Sequence, residues 1–104
     1  MARARRRMGW SQRELAARRQ RCTALIDRAE SRLATGAIDG ACADASEALQ
    51  ISADTQHVES LRRVEKLSRT ALATRADCAR KLFHQVLLIK SENGLDPGPL
   101  RDHR

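Results

Sequence analysis

The hydrophobic positions of this chain recur every three or four residues in four successive segments. Such spacing places the apolar side chains of each segment on one face of an α-helix. We predict helices over about Ser11–Ala34, Ile38–Ile51 and Thr55–Leu72, and a fourth that opens at Thr74–Asp77 and stops at Asn93–Gly94. Residues 95–104 contain both prolines and are predicted to form a flexible tail.

Short polar residues mark the predicted helix starts. Ser11 and Glu14 have the spacing of a capping box, in which each side chain bonds to the backbone N–H of the other residue. Asp54 or Ser52 is expected to cap the third helix, and the segment Thr74–Asp77 provides a box-like cap for the fourth. Four helices joined by short loops predict antiparallel neighbours, and therefore an all-α fold of two helical hairpins.

The amino-acid composition supports helices and argues against a β-fold. The chain has 104 residues, of which 17 are alanine, 17 are arginine and only two, Trp10 and Phe83, are aromatic. Alanine and arginine favour helices, whereas a β-sandwich needs β-branched and aromatic side chains to fill its layers. A chain of this length allows one small domain with a modest core.

The net charge of +7 is concentrated near the amino terminus. Residues 1–21 hold eight arginines and one acid, residues 22–60 hold two basic and seven acidic side chains, and residues 61–104 hold ten basic and five acidic ones. We therefore divide the chain into a basic arm (1–21) that leads into the first helix, a helical-hairpin domain (22–94) and the tail. This asymmetry indicates an interaction role for the arm, or electrostatic head-to-tail pairing.

Neither the apolar stretches nor the cysteines indicate secretion or a membrane. The longest apolar run is Val86–Ile89, far shorter than a signal peptide or a membrane span requires. The chain has three cysteines, Cys22, Cys42 and Cys78. Their odd number and the absence of a Cys-x-x-Cys pair argue against a disulfide framework. We expect a cytoplasmic protein in which the cysteines are small core residues.

One stretch of the chain, L-A-T-G-A-I-D-G-A-C-A-D-A-S-E-A-L-Q-I, resembles the second half of a tetratricopeptide repeat. When Cys22 opens a unit of about 34 residues, Ala29, Ala41 and Ala48 fall where small residues let two helices touch. Gly36 falls at the turn between the helices. The resemblance implies a tetratricopeptide-like arrangement of the two hairpins.

Repeats of this kind present a concave face that is lined mainly by the first helix of each hairpin. The resemblance therefore implies a partner-binding surface made of Thr23, Ile26, Glu30, Leu33 and Arg62, with Val64 as an alternative to Arg62. For Ile26 and Leu33, a role as ordinary core residues is favoured over a place in this surface. Two hairpins are fewer than the roughly three repeats needed for independent stability, so we expect a second copy or a longer parent chain to cover the exposed end.

The unit that begins near Gln56 fits the repeat spacing poorly, but a narrower resemblance covers it. The stretch A-L-Q-I-S-A-D-T-Q-H-V-E-S-L-R-R-V-E-K-L resembles the carboxy-terminal end of tetratricopeptide-containing transcriptional regulators of actinomycetes. Their GC-rich genomes agree with a composition rich in alanine and arginine and poor in lysine. The resemblance implies a regulatory role.

The amino terminus, R-R-R-M-G-W-S-Q-R-E-L-A-A-R, resembles the opening of a helix-turn-helix domain. The resemblance implies that Ser11 caps a helix, that Gln12 contacts a phosphate or base, and that Leu15 and Ala16 pack inward. No turn with a following recognition helix comes after Arg18, so the chain lacks the helix that would contact base edges in the major groove.

These observations favour a non-enzymatic protein–protein interaction module with no cofactor or metal. His57, His84 and His103 are far apart in sequence, and no nucleophile–base pattern or phosphate-binding glycine loop occurs. Self-association is an alternative to a separate protein or peptide partner. The alternative function is DNA binding through the arm, where the candidate residues are Arg3, Arg5, Arg6, Arg7, Gln12 and Arg13.

Overall fold

The computed structural model describes residues 10–92, which form four helices: α1 Gln12–Ala34, α2 Ile38–Thr55, α3 Val58–Leu72 and α4 Asp77–Glu92. No strand occurs within residues 10–92. The prediction of an all-α fold with four helices in hairpins is therefore confirmed. The predicted helix end at Asn93–Gly94 and the tail lie outside the described residues.

Helix α1 begins at the predicted capping box. The Glu14 backbone N–H donates to the Ser11 hydroxyl at 3.1 Å, and the Ser11 N–H donates to the Glu14 carboxylate at 3.0 Å. Two backbone donors that would otherwise lack partners in the first turn are thereby satisfied. The helix then runs without interruption to Ala34.

The junction between α2 and α3 differs from the prediction. Helix α2 continues to Thr55 and α3 begins at Val58, so Ser52 and Asp54 lie within α2 and do not cap α3. The Ser52 hydroxyl donates to the Ala48 carbonyl, one turn earlier, at 2.9 Å. A serine satisfied in this way is compatible with a helix interior, which explains why the expected break is absent.

Each of the three loops contains one residue in the left-handed region. These are Gly36 with φ 89°, Gln56 with φ 53° and Arg75 with φ 62°. At the first loop, the Ala37 N–H donates to the Arg32 carbonyl at 2.8 Å, which closes a Schellman turn around the glycine. Glycine adopts this conformation without the steric cost that a side chain incurs.

The start of α4 lies at the end of the predicted box-like cap. The Thr74 hydroxyl accepts a hydrogen bond from the Ala76 N–H at 3.3 Å, and α4 begins at the next residue, Asp77. Thr74 therefore stabilises the loop that leads into the helix.

The two hairpins are antiparallel internally. In the first, Arg21 pairs with Glu47 and Arg32 pairs with Asp44, so positions rise along α1 as they fall along α2. In the second, the Lys90 ammonium of α4 lies 2.9 Å from the Glu65 carboxylate of α3.

Corresponding helices of the two hairpins lie side by side and run in the same direction. Ser46 on α2 bonds to Gln85 on α4 at 3.0 Å, and the Cys78 sulfur lies 3.9 Å from the carbonyl oxygen of Ile38. Helix α1 packs against α3 in the same way. Between the hairpins, α2 contacts both α3 and α4 and therefore forms the centre of the fold.

The core combines small residues on α2 with larger ones on the other helices. Its fully enclosed members, with at most 2% of their surface exposed, are Cys22, Ile26, Ala29, Ala41, Ala45, Ala48, Leu49, Val64, Ala71, Ala79, Leu82 and Val86. Burial on α1 begins only at Cys22. Residues 12–21 are exposed except for half-buried Leu15, so the first ten residues of α1 contribute little to the core.

Candidate partner-binding groove

An open groove of about 310 Å³ lies between α1 and α3. Its lining residues are Glu30, Leu33 and Ala34 from α1 and Lys66, Leu67 and Thr70 from α3. On each helix these residues are three or four positions apart and therefore share one face. The parallel packing of α1 and α3 brings the two faces together.

The floor of the groove is apolar. Leu67 is buried and Leu33 is half-buried against the core, which leaves part of the Leu33 side chain accessible from the groove. An apolar surface that remains open to water gains free energy when another apolar side chain covers it. The groove therefore suits an aliphatic or aromatic side chain.

The charges at the rim of the groove are unequal. The Arg63 guanidinium donates to Asp27 at 2.9 Å and to Glu30 at 3.2 Å, so the two carboxylates on the acidic side of the rim share this one guanidinium. These hydrogen bonds, the one to Asp27 foremost, raise the pKa of Arg63 although its partial burial opposes them. Within residues 10–92, no carboxylate lies within ion-pairing distance of Lys66. The groove thus offers one unneutralised cation beside its apolar floor.

The structure brings two of the five predicted partner-binding residues into this groove. Glu30 and Leu33 line it, whereas Thr23 and Arg62 are exposed outside it. Ile26 has no exposed surface, and the prediction that it lines an accessible face is wrong. Its side chain lies on the buried stripe of α1, in agreement with the core alternative. Val64, the alternative to Arg62, is likewise fully buried.

The α3 side of the groove was missed by the sequence reasoning. A helical-wheel comparison of α3 with α1 could have found this side of the groove. It places Lys66, Leu67 and Thr70 on the same face of α3 as Arg63. The repeat spacing obscured it, because α2 runs one turn beyond its predicted end and shifts the second hairpin along the sequence.

The second candidate surface is the exposed beginning of α1. Gln12 and Arg13 are exposed there, while Arg3, Arg5, Arg6 and Arg7 lie outside the described residues. The Arg18 guanidinium stacks 4.4 Å from the centre of the Trp10 ring, and Arg21 pairs with Glu47. Because α1 is continuous through Arg18, residues 12–34 contain no helix-turn-helix turn.

Within the part of the chain that the structure describes, no group of three or more histidine, cysteine or carboxylate side chains is placed to hold a metal ion. None of the helices α1–α4 is long and apolar enough to cross a membrane.

Comparisons of the sequence and the fold with known proteins give no significant match to a family model, a curated protein or a solved structure.

Proposed function

We propose that this protein is a non-enzymatic interaction module that holds a segment of a partner protein in the groove between α1 and α3. The observation that carries the proposal is the unneutralised Lys66 beside the accessible Leu33 side chain. The groove has the size of a small recognition pocket, since ligand sites typically begin at about 300 Å³.

The occupant that fits this groove is a peptide segment with a large apolar side chain next to an acidic residue. The apolar side chain covers Leu33 and Leu67, and the carboxylate pairs with Lys66. Burying the apolar group supplies most of the affinity, while the charge sets the orientation of the segment. The groove is small, so we expect weak, micromolar to millimolar binding.

The resemblance to tetratricopeptide repeats supports the same assignment. Stacked hairpins of that type bind peptides on the face formed by their first helices, and here α1 and α3 form the corresponding face. A regulatory role, as in the actinomycete regulators that the stretch from Ala48 to Leu67 resembles, is the biological setting that we propose for this binding.

The proposal is tested by titrating the protein with three labelled ten-residue peptides that share a central leucine and differ in its neighbours. Glutamate, serine and lysine neighbours are compared by fluorescence anisotropy. We expect the glutamate peptide to bind at least about fivefold more tightly than the lysine peptide. Lys66→Gln should remove this preference, and Leu33→Glu should weaken binding of all three peptides.

The matched control is Leu88→Glu, which places the same charge on an apolar side chain that is 49% exposed on α4 and outside the groove. It should leave peptide binding unchanged. Equal binding of the three peptides, or equal losses from Leu33→Glu and Leu88→Glu, would refute the groove as the site. Light scattering on the same samples separates peptide binding from self-association.

The exposed beginning of α1 favours a second candidate function, DNA binding through the arm. Arg13 and Arg19 are exposed on this helix and have no ion-pair partner within residues 10–92. Arginines that contact phosphates release counterions, so the affinity should fall steeply with salt. The test is anisotropy of a labelled duplex between about 50 and 200 mM salt. The double variant Arg13→Gln/Arg19→Gln should flatten the salt dependence, and an unchanged slope would exclude these residues.

A further inference from the structure

Two of the three cysteines meet at the contact between the hairpins. The Cys78 sulfur on α4 lies 3.9 Å from the Ile38 carbonyl oxygen on α2. In an α-helix, the Ile38 carbonyl faces the backbone N–H of the residue four positions later, which is Cys42. The Cys42 side chain is tilted toward the amino terminus of the helix and therefore lies over the turn that contains this carbonyl. The Cys78 sulfur therefore lies on the patch of α2 that the Cys42 side chain covers.

The surrounding residues allow the two helices to approach closely. Ala41 and Ala45 flank Cys42 on the buried face of α2, and Ala79 follows Cys78 on α4; all three alanines have no exposed surface. A disulfide requires Cα atoms within about 7 Å, and small residues at a helix contact favour such short separations.

The two thiols differ in accessibility. Cys42 is only 5% exposed, whereas Cys78 is partly exposed. Burial, followed by the neighbouring Cys78 thiol, raises the pKa of Cys42 to about 12, so Cys42 remains a protonated thiol at neutral pH. An oxidant from solution therefore meets Cys78 first.

We propose that Cys42 and Cys78 form an oxidation site, at which a peroxide converts the two thiols into a disulfide that joins α2 to α4. The Cys78 sulfur first attacks one peroxide oxygen: an S–O bond forms, the O–O bond breaks, and one water leaves. The Cys42 sulfur then attacks the Cys78 sulfenic acid, and its proton leaves with the hydroxyl group as a second water. The two thiols lose two electrons, and one hydrogen peroxide becomes two waters.

The bond would fix the second hairpin on the first. The α2–α4 contact is one of those that set the position of α3 beside α1, so oxidation would hold the hairpins in the arrangement described here. A crosslink also restricts the unfolded chain, since it closes a loop between residues 42 and 78. The oxidised protein should therefore be more stable to heat.

The test treats the reduced full-length protein with hydrogen peroxide and maps its peptides by mass spectrometry without reduction. We expect a Cys42–Cys78 crosslinked peptide and a mass loss of about 2 Da in the monomer. The melting temperature should rise by about 10 °C and return on adding a dithiol reductant. A disulfide that forms only between chains, or only in denaturant, would overturn the proposal.

Three variants sharpen the test. Cys42→Ser should abolish the crosslink and let the Cys78 sulfenic acid accumulate, where dimedone traps it. Cys78→Ser should leave Cys42 unmodified. Cys22→Ser is the matched control, because the buried Cys22 sulfur lies 3.3 Å from the Ser52 hydroxyl and 3.3 Å from the Ala48 carbonyl oxygen. It should still form the crosslink, with Cys22→Ala as the substitute if it fails to fold, and loss of the crosslink in either folded variant would contradict the assignment.

Discussion

Each hairpin is built from two antiparallel helices, α1 with α2 and α3 with α4, but the two hairpins pack in different ways. In the first hairpin, α2 presents alanines to its neighbours, and Ala41, Ala45 and Ala48 have no exposed surface. In the second, the fully enclosed residues of α4 are Ala79 and the larger Leu82 and Val86. Small side chains allow close approach but bury little area each, whereas large ones bury more area and leave larger cavities when truncated.

The ion pairs of the two hairpins also differ, in how far both partners are buried. Asp44 is 5% exposed and binds Arg28 through two hydrogen bonds of 2.9 Å, but the arginine itself reaches into solvent. The hydrogen bonds from Arg28, partly opposed by burial, lower the pKa of Asp44. In the second hairpin, Lys90 and Glu65 are both largely buried, and Arg69 adds a second bond to Glu65. The first hairpin thus has its ion pairs at the rim and the second has one inside.

The turns complete the contrast. Gly36 supplies the left-handed residue in the first hairpin, whereas Arg75 occupies that conformation in the second. A residue with a side chain pays a steric cost there of about 1 kcal/mol. The first turn is therefore unstrained, and the second is held by the packing of its helices.

The largest effect is expected from Leu82→Ala in the second hairpin. Leu82 is 2% exposed, so truncation leaves a cavity and should lower the free energy of unfolding by about 3 kcal/mol. Urea denaturation followed by circular dichroism measures the change. The control Leu88→Ala removes the same atoms at a 49% exposed position and should change stability by less than about 0.5 kcal/mol. Similar losses from both variants would show that this hairpin does not depend on its large core residues.

In the first hairpin the damaging change is enlargement. Ala45→Leu adds three carbon atoms to a side chain of α2 that has no exposed surface. This overpacking should lower the free energy of unfolding by about 2 kcal/mol in the same denaturation experiment. Ala43→Leu is the control, since Ala43 is exposed on the same helix and leucine is a good helix former. If Ala45→Leu is tolerated as well as Ala43→Leu, the alanine contact is looser than described.

The buried ion pair should matter more than an exposed one. Glu65→Gln replaces the charged partner of Lys90 and should lower the free energy of unfolding by about 1.5 kcal/mol at neutral pH. Glu47→Gln breaks the exposed pair with Arg21 and should cost about 0.5 kcal/mol or less. A larger loss from Glu47→Gln would reverse this ranking of the two pairs.

The same variant carries a pH prediction. Burial raises the pKa of Glu65, but hydrogen bonds from Lys90 and Arg69 outweigh it and hold the pKa below its ordinary value of 4.5. Its stabilising contribution is therefore present above that value and is lost as the pH falls through the lower pKa of the folded protein. The stability difference between the parent protein and Glu65→Gln should shrink on acidification from neutral pH, and a constant difference would contradict the assignment.

The smallest effects concern the turns and have opposite signs. Gly36→Ala forces a side chain into φ 89° with no contact to compensate and should destabilise by about 1 kcal/mol. Arg75→Gly relieves the left-handed strain but adds freedom to the unfolded chain, so a net gain of about 0.5 kcal/mol is expected. Thermal unfolding of both variants measures these shifts, and a loss of stability in Arg75→Gly would reveal a tertiary role for its side chain.

Part of the fold and of the site was accessible from local patterns. The capping box at Ser11, the turn at Gly36 and the faces of the helices follow from residues a few positions apart, which is the range over which helical geometry acts. Glu30 and Leu33 were named as groove residues through the resemblance to tetratricopeptide repeats, and both line the groove between α1 and α3. The cap of α3 was mispredicted because Ser52 can bond within its own helix as well as at a helix start, and only its surroundings select between the two.

The sequence by itself determined the four helices and their hairpin order, since these depend on periodicity and on short loops. Only the tertiary structure decided which positions of different helices meet. Helix α2 and helix α4 begin 39 residues apart, at Ile38 and Asp77, and the offset between them sets which side chains face each other across the hairpins. That offset depends on side-chain volumes and helix lengths summed over the whole fold. It opens the groove at Lys66 and brings Cys42 beside Cys78, and neither result follows from any single stretch of the chain.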